Sequence, residues 1–298
     1  MTFTIMARDP STGELGVGSF SFALAVGAGI AHHAPGVGVV VIQARGVTSW
    51  STQLLAGLSA AGWQETVDEL RSDRRLAASQ LGALSVRGEA FEFTGPQTEG
   101  YAEAACRPDL CCVSNLMFDA GIPASAADHF AALVARHPSM PLAQRLVETM
   151  RHADRRGGDV RGRMSAFVRT FPAGGSYPGT DSRVDLRVDF HPDPVNELVR
   201  LVRIHQAHQL AASAVDDGGA YTNVERTRAA TRLAPESAVV AGAHLLALIR
   251  AGDMVDARNL AHRVRTLEPE LPERLRRLEE AGRIPTGSVA ALGLAGLA

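Results

Sequence analysis

Directly behind the initiator methionine stands a threonine, and it opens a run, TFTIMAR, in which Phe3, Ile5 and Ala7 interleave with Thr2, Thr4 and Met6. Methionine aminopeptidase accepts a small second residue, so removal of Met1 is expected to expose Thr2. One residue then carries both a hydroxyl and a free α-amine. An alkyl hydroxyl is too weak an acid to attack unaided, but an α-amine with a reference pKa of about 8 is partly neutral near pH 7 and can take its proton. The β-methyl restricts χ1 and keeps the hydroxyl in register with the amine. Threonine is also a common second residue and a good strand former. The chemistry therefore depends on what the rest of the chain places around it.

Bulk composition narrows the classes. The 298 residues are 46% apolar and 21% charged, with a formal net charge of −2, which describes an ordinary globular protein of one large domain or two smaller ones. Near-neutral charge and sparse aromatics leave no footprint for nucleic acid or an anionic membrane. All 30 basic residues are arginine, which excludes Schiff-base chemistry, a Ser-Lys dyad and a P-loop. Cys106, Cys111 and Cys112 are an odd number without zinc-type spacing, and they read as buried or spectator thiols in a reducing compartment. The stretch LGVGSFSFALAVGAGIA follows Asp9 and Glu14 and is broken by serine and glycine, so it reads as a buried strand pair, not a signal or a membrane span. A cytoplasmic protein is expected. His32-His33, His152 and several aspartates are scattered without ligand spacing, so neither a metal nor an organic cofactor is expected.

The elements that must position Thr2 follow from periodicity and punctuation. Strands are expected at 2–8 and 14–24, joined by RDPSTGE, and at 36–45, where near-continuous valines predict burial on both faces. A helical stretch is expected over roughly 52–71, with Ser59 capping its second half. Next come a hairpin turning at Arg87-Gly88, a strand at LCCVSNLMF, and two helices, ASAADHFAALVARH and PLAQRLVETMRHADRR, the second stopped by Gly157-Gly158. Strands SAFVRTF and SRVDLRVDF flank the loop AGGSYPGTD, and a helix starts near Pro194. This order implies a layered α+β domain over residues 1–215, with sheets inside and helices outside. Asp216-Asp217-Gly218-Gly219 marks the boundary to a purely helical region, 216–298. There Pro235 and Pro269 lie 34 residues apart, the tetratricopeptide period, and Ala257 is the small residue where two antiparallel helices must touch. LPERLRRLEEAGRIP reads as a capping helix and GSVAALGLAGLA as a loosely ordered tail. Such a unit packs or recruits and does not catalyse.

Four segments, TFTIMARDPSTGELGVG, LAVGAGIAHHAPGVGVVVIQA, GGDVRGRMSA and DLRVDFHPDPVNEL, occur in that order over roughly residues 2–205. Together they resemble an uncharacterised bacterial domain family with an Ntn (N-terminal nucleophile) hydrolase-like fold. The resemblance implies a four-layer αββα sandwich with the nucleophile at the start of a central strand. Some members carry helical extensions, which suits a small all-α, TPR-like domain here.

Residues matching the family's motifs are Thr2, His32, Gln43, Thr94, Asn115, Asp159, Arg161 and Ser165. In the implied site Thr2 is the nucleophile and Asn115 donates its amide to a developing oxyanion; capping a turn is the other reading of Asn115. Asp159 and Arg161 orient the amine or bind a substrate carboxylate, or they form a loop-fixing ion pair. His32 is a proton relay or a structural histidine. Ser19 and Ser21 sit on the strand hairpinned to Thr2, where hydrogen bonding across the hairpin and simple alternation explain them equally. Ser19, Gln43, Thr94, Ser114 and Ser165 are the substrate-binding candidates. Two segments depart from the family: Val47-Thr48-Ser49-Trp50-Ser51 replaces Asn-Pro-x-Tyr-Gly, and Val113-Ser114-Asn115 replaces Gln-Gly-Asn. Both are expected to line the pocket, where serine in place of glycine blocks close backbone approach, and to change the substrate or remove activity.

The expected function is hydrolysis of an amide or similar small acyl compound through an acyl-enzyme at Thr2. A small-molecule substrate, no nucleic-acid or membrane partner, and a homodimer are expected. The rival is a non-catalytic scaffold whose helical region supports oligomerisation or partner docking.

Overall fold

The computed structural model of the chain describes residues 2–158, 160–173 and 182–294. Contacts divide the chain into two compact units, residues 1–202 and 203–298. The division falls earlier than the aspartate-glycine stretch at 216–219.

In the first unit, β1 (Thr2–Arg8) and β2 (Leu15–Ser21) form an antiparallel hairpin in register from Thr2↔Ser21 to Arg8↔Leu15. Its turn is held locally: Ser11 N donates to Asp9 Oδ1 at 2.9 Å, and Gly13 takes a φ of +70° that a side chain would resist. The apolar run after Ser21 does not continue as a strand pair. A 3-10 turn at Val26–Ala28 intervenes before a short strand, β3 (Ala31–Ala34). The cause is Ser165, whose hydroxyl donates to Ala23 O at 2.6 Å and accepts from Val26 N at 2.9 Å.

β4 (Gly38–Ala44) leads into α1 (Ser51–Ser59) and α2 (Trp63–Leu70). The expected single helical stretch thus breaks at 60–62. Ser59 ends α1, and Gly62 occupies the N-cap of α2 without a side-chain cap. The break lets the helices meet closely: a Cβ on Gly57 would stand 2.1 Å from Thr66 Oγ1. Then come β5 (Ser79–Ser85), β6 (Ala90–Thr94), β7 (Tyr101–Arg107) and β8 (Leu110–Met117), followed by α3 (Ile122–Arg136), α4 (Leu142–Arg155), β9 (Ser165–Phe171) and β10 (Val184–Val188). The loop between β9 and β10 lies, over 174–181, outside the described residues.

The strands form a six-stranded sheet, β10-β9-β2-β1-β8-β7, and a four-stranded sheet, β3-β4-β5-β6. The antiparallel pairs fix which residues share a face. Phe3, Ile5 and Ala7 pack with Leu146, Val147 and Met150 of α4. Met6, Val17, Val113 and Phe167 of the larger sheet pack with Val39, Val41 and Leu84 of the smaller one. Val40, Ile42, Leu81 and Ala83, on the other face of the smaller sheet, pack with Leu54, Leu58, Trp63 and Val67 of α1 and α2. Strand β7 escaped the sequence pattern because its side chains are half-buried along most of their length. Cys106 and Cys111, paired in register across β7 and β8, form a disulfide, and Cys112 alone is a free, buried thiol. The reading as thiols is corrected for Cys106 and Cys111, whereas Cys112 is the buried thiol expected.

A nineteen-residue helix, α5 (Pro194–Ala212), spans the division. The second unit continues with α6 (Val224–Leu233), α7 (Ala238–Ala251), α8 (Met254–Leu267), α9 (Leu271–Glu280) and α10 (Ser288–Ala291). Asn223, Ser237 and Asp253 cap α6, α7 and α8 through side-chain oxygens that accept from the third amide of each helix. Ala257 is fully buried in a cluster with Leu245 and Leu248 of α7, as a helical hairpin requires. Up to Leu294 the tail is more ordered than its small residues suggest. Glu279 accepts from Gly287 N and Val289 N at 2.6 and 2.9 Å, and Leu292 and Leu294 are buried in the same cluster.

Candidate functional site

Strand β1 runs between β2 and β8, so Thr2 faces Ser21 on one side and Asn115 on the other. Thr2, Thr4 and Met6 turn towards the smaller sheet. Opposite them stand Gln43 on β4, Gln80 on β5 and Thr94 on β6, cross-strand neighbours in one row. These groups form a connected ladder. The Thr4 hydroxyl lies 2.8 Å from Gln43 Oε1 and 3.0 Å from Ser19 Oγ, and Ser19 donates to Phe3 O at 2.7 Å. Gln43 Nε2 donates to Gln80 Oε1 at 2.7 Å and approaches Thr2 O at 3.4 Å. Asn115 Nδ2 donates to the same Gln80 Oε1 at 3.2 Å. Gln80 Nε2 in turn lies 3.0 Å from Thr94 Oγ1, 3.0 Å from Ser114 O and 3.2 Å from Glu103 O.

Gln80 is fully buried and Gln43 and Asn115 nearly so. Buried amides are tolerated when their donors and acceptors are matched, and here both glutamine amides are engaged at each end. The arrangement fixes the orientation of the Asn115 amide: one N–H is committed to Gln80, and Asn115 also lines the pocket.

The ladder ends at a cavity of about 290 Å3 whose lining includes Thr2, Ser21, Phe22, Arg45, Asn115 and Arg161. Thr2 is 8% exposed, and its Oγ1 lies 3.2 Å from Ser21 Oγ. Ser21 Oγ also accepts from Ala23 N at 3.1 Å. The Arg161 guanidinium sits over the Phe22 ring, 4.8 Å from its centroid, a cation–π arrangement. At the rim, Arg45 and Glu99 pair at 3.4 Å with both side chains largely exposed, so the pair contributes little to stability.

Two backbone outliers flank the same cavity. Ala44 has φ +62° and Leu116 φ +51°, each directly follows a ladder residue, and both line the pocket. A left-handed residue with a side chain costs on the order of 1–3 kcal/mol, and such strain gathers at functional sites. At Leu116 it accompanies a register shift between β7 and β8.

The structure brings Thr2, Ser21, Asn115 and Arg161 to one cavity, with Ser19, Gln43 and Thr94 behind it in the ladder. It does not bring the others. His32 lies on β3, its Nε2 3.1 Å from Gly29 O. Its pKa is held below the usual histidine range, chiefly by burial and further by the charge of Arg169. His32 does not line the cavity. Ser165 ties the segment after β2 to β9, as described. Ser114 pairs with Phe3, so its side chain shares the face opposite to the pocket, where its hydroxyl is buried without a partner among the described residues. Trp50, in the departing segment 47–51, packs into the core between α1 and the smaller sheet, and that segment does not line the cavity. Asp159 lies outside the described residues. His152 stacks on His129 at the α3–α4 surface, 4.3 Å between centroids.

Sequence reasoning missed Gln80, the hub of the ladder, together with Arg45, Glu99 and Phe22. Gln80 sits in SQLGALS, where alternation alone marks it as a strand residue; only the match to Gln43 across β4 and β5 distinguishes it. Among the described residues no group of three or more His, Cys, Asp and Glu is placed to hold a metal ion. No helix among them is long and apolar enough to cross a membrane.

Fold and site together define a mixed α+β protein with two antiparallel sheets, a polar seam between them ending in a small pocket at Thr2, and a helical C-terminal region. The chain belongs to DUF1028, a family of unknown function, whose model matches residues 2–198. Among solved structures it is similar to a DUF1028 protein from Silicibacter pomeroyi, at 24% identity and a TM-score of 0.58 over 72% of this chain and 90% of that one. That likeness concerns the fold. A second match is Anbu (ancestral beta-subunit) from Yersinia bercovieri, at 14% identity and a TM-score of 0.35, covering 68% of this chain and 96% of that one. No curated protein matches the chain.

Proposed function

We propose that the first unit is an Ntn-type αββα sandwich and that the chain, once Met1 is removed, hydrolyses an amide or related small acyl compound through Thr2. The observation that carries this reading is the position of Thr2. It starts a central strand, lines a cavity, and has an amide side chain, Asn115, directly opposite on the next strand. In the reaction, Thr2 Oγ1 attacks the substrate carbonyl carbon and its proton passes to the neutral α-amine. The tetrahedral oxyanion accepts from the Asn115 amide, a donor worth roughly 3 kcal/mol of transition-state stabilisation. The C–N bond then breaks, the leaving amine takes the proton from the α-ammonium, and an ester remains on Oγ1. Water attacks that ester, again with the α-amine as proton acceptor, and the acid leaves with the hydroxyl restored. Arg161, Arg45 and Glu99 line the cavity, the last two as an ion pair. Either guanidinium suits a carboxylate on the substrate.

A binding-only role for the same pocket is favoured by the low exposure of Thr2 and the turning of its hydroxyl to Ser21. A β-lactone probe separates the two without a known substrate, because it acylates only an activated nucleophile. The expected result is one adduct on the peptide beginning at Thr2, lost in Thr2→Ala while the circular dichroism spectrum stays unchanged. Retention of Met1 in the intact mass, or labelling that survives Thr2→Ala, would remove the nucleophile from Thr2.

A further inference from the structure

The second unit holds a cleft that this reaction does not use. It lies between α6, α7 and α8, encloses about 490 Å3, and is lined among others by Arg228, Arg232, His244, Asp256 and Arg263. A cavity of that size accepts a small molecule or one end of a larger one. Leu248 and Leu260 also line it and are themselves buried, so the polar groups stand over an apolar floor.

The charges are unbalanced. Arg228 already has carboxylates, Glu225 at 3.0 Å and Asp256 at 3.9 Å. Arg232 and Arg263, one from each wall, pair with no carboxylate among the described residues. The lining therefore presents three guanidinium groups against the single carboxylate of Asp256. Arginines on a helix surface are ordinarily just solvated. What distinguishes these is that they converge from two helices on one cavity that also contains a buried imidazole.

That imidazole is His244, 7% exposed. Its Nδ1 lies 2.9 Å from Thr227 Oγ1, which leaves Nε2 for the cleft that His244 lines. Burial, with the charge of Arg228 second, holds its pKa below the usual histidine range, so it enters as a neutral ring. Nε2 is not among the fully buried polar atoms, so it meets solvent at the cleft, where a ligand oxygen can take the place of water.

We propose that this cleft binds a compact, multiply charged oxyanion of a small molecule, gripped by Arg232 and Arg263 with His244 Nε2–H as a third donor. Arginine's planar fork matches both phosphate and carboxylate oxygens. The bound anion selects the tautomer with its proton on Nε2. Thr227, whose hydroxyl otherwise reaches Val224 O at 3.0 Å, then donates to Nδ1.

Isothermal titration of the full chain with pyrophosphate and, separately, with citrate at constant ionic strength tests the site and tells a phosphate ligand from a carboxylate one. Saturable binding of one equivalent is expected for at least one probe. The double variant Arg232→Gln, Arg263→Gln should weaken it by about tenfold or more while leaving the melting temperature and the β-lactone labelling at Thr2 unchanged. Heats that never saturate with either probe, or an affinity untouched by the double variant, would overturn the assignment.

Discussion

The layer between the two sheets is built in two contrasting halves. One half is apolar, with Met6, Val17, Val39, Val41, Leu84, Val113 and Phe167 interdigitating. The other half is polar, with Thr4, Ser19, Gln43, Gln80 and Asn115 as deeply buried and joined by hydrogen bonds. The same strands serve both: β1 contributes Met6 to the first and Thr4 to the second. A protein seeking only stability would extend the apolar filling, since apolar packing contributes about 25 cal/mol for each Å2 removed from water and a matched amide bond only about 1 kcal/mol net. What the polar half adds is direction. It sets the orientation of the side chains next to Thr2, at the end where the pocket opens and two residues accept left-handed backbones.

The contrast can be broken most severely by charge. Gln80→Glu removes the amide that donates to Thr94, Ser114 O and Glu103 O and sets a carboxylate against carbonyl oxygens. Urea denaturation should register a loss of about 4 kcal/mol or more at pH 7. Burial raises the folded pKa of the new acid above its unfolded value near 4.3. The part of the deficit due to charge should therefore vanish as pH falls below that unfolded value, where the acid is protonated in both states, and grow as pH rises from it to the folded pKa, above which it levels off.

In the apolar half, Leu84→Ala should cost about 3 kcal/mol through lost contacts and the cavity left behind. Denaturation of this variant should show no such pH dependence, and β-lactone labelling at Thr2 should persist. If instead Leu84→Ala abolished labelling, the two halves would not be separable as drawn here. The mildest disturbance is Thr94→Val, which removes one of three acceptors around Gln80 Nε2. About 1 kcal/mol or less is expected in the same melt, with the pocket intact; a much larger loss would mean that the ladder acts as one unit.

Much of this was legible beforehand, and the exceptions share a cause. The hairpin of β1 and β2, the strand β4, the turn at Arg87-Gly88 and helices α3, α4 and α5 follow from alternation, valine runs and glycine stops. Strand β3 and the 3-10 turn before it were hidden, because what bends that segment is Ser165, far away in sequence. Strand β7 was hidden because a half-buried strand lacks a clean period. At the site, Thr2, Asn115 and Arg161 were readable from their types and motifs, whereas His32 lies outside the cavity and the Ser114 side chain points to the opposite face of its strand.

The order of residues determined the local faces: which side of β1 carries Phe3 and Ile5, which carries Thr2 and Thr4, where α7 and α8 begin and end, and that no lysine takes part in any chemistry. Tertiary structure alone decided that Thr2, Gln43, Gln80 and Asn115, from four separate strands, meet in one buried seam. The physical reason is that a period reports only how a segment meets its own neighbours. Register between strands, and the matching of donors to acceptors across two sheets, is settled only when the whole layer closes.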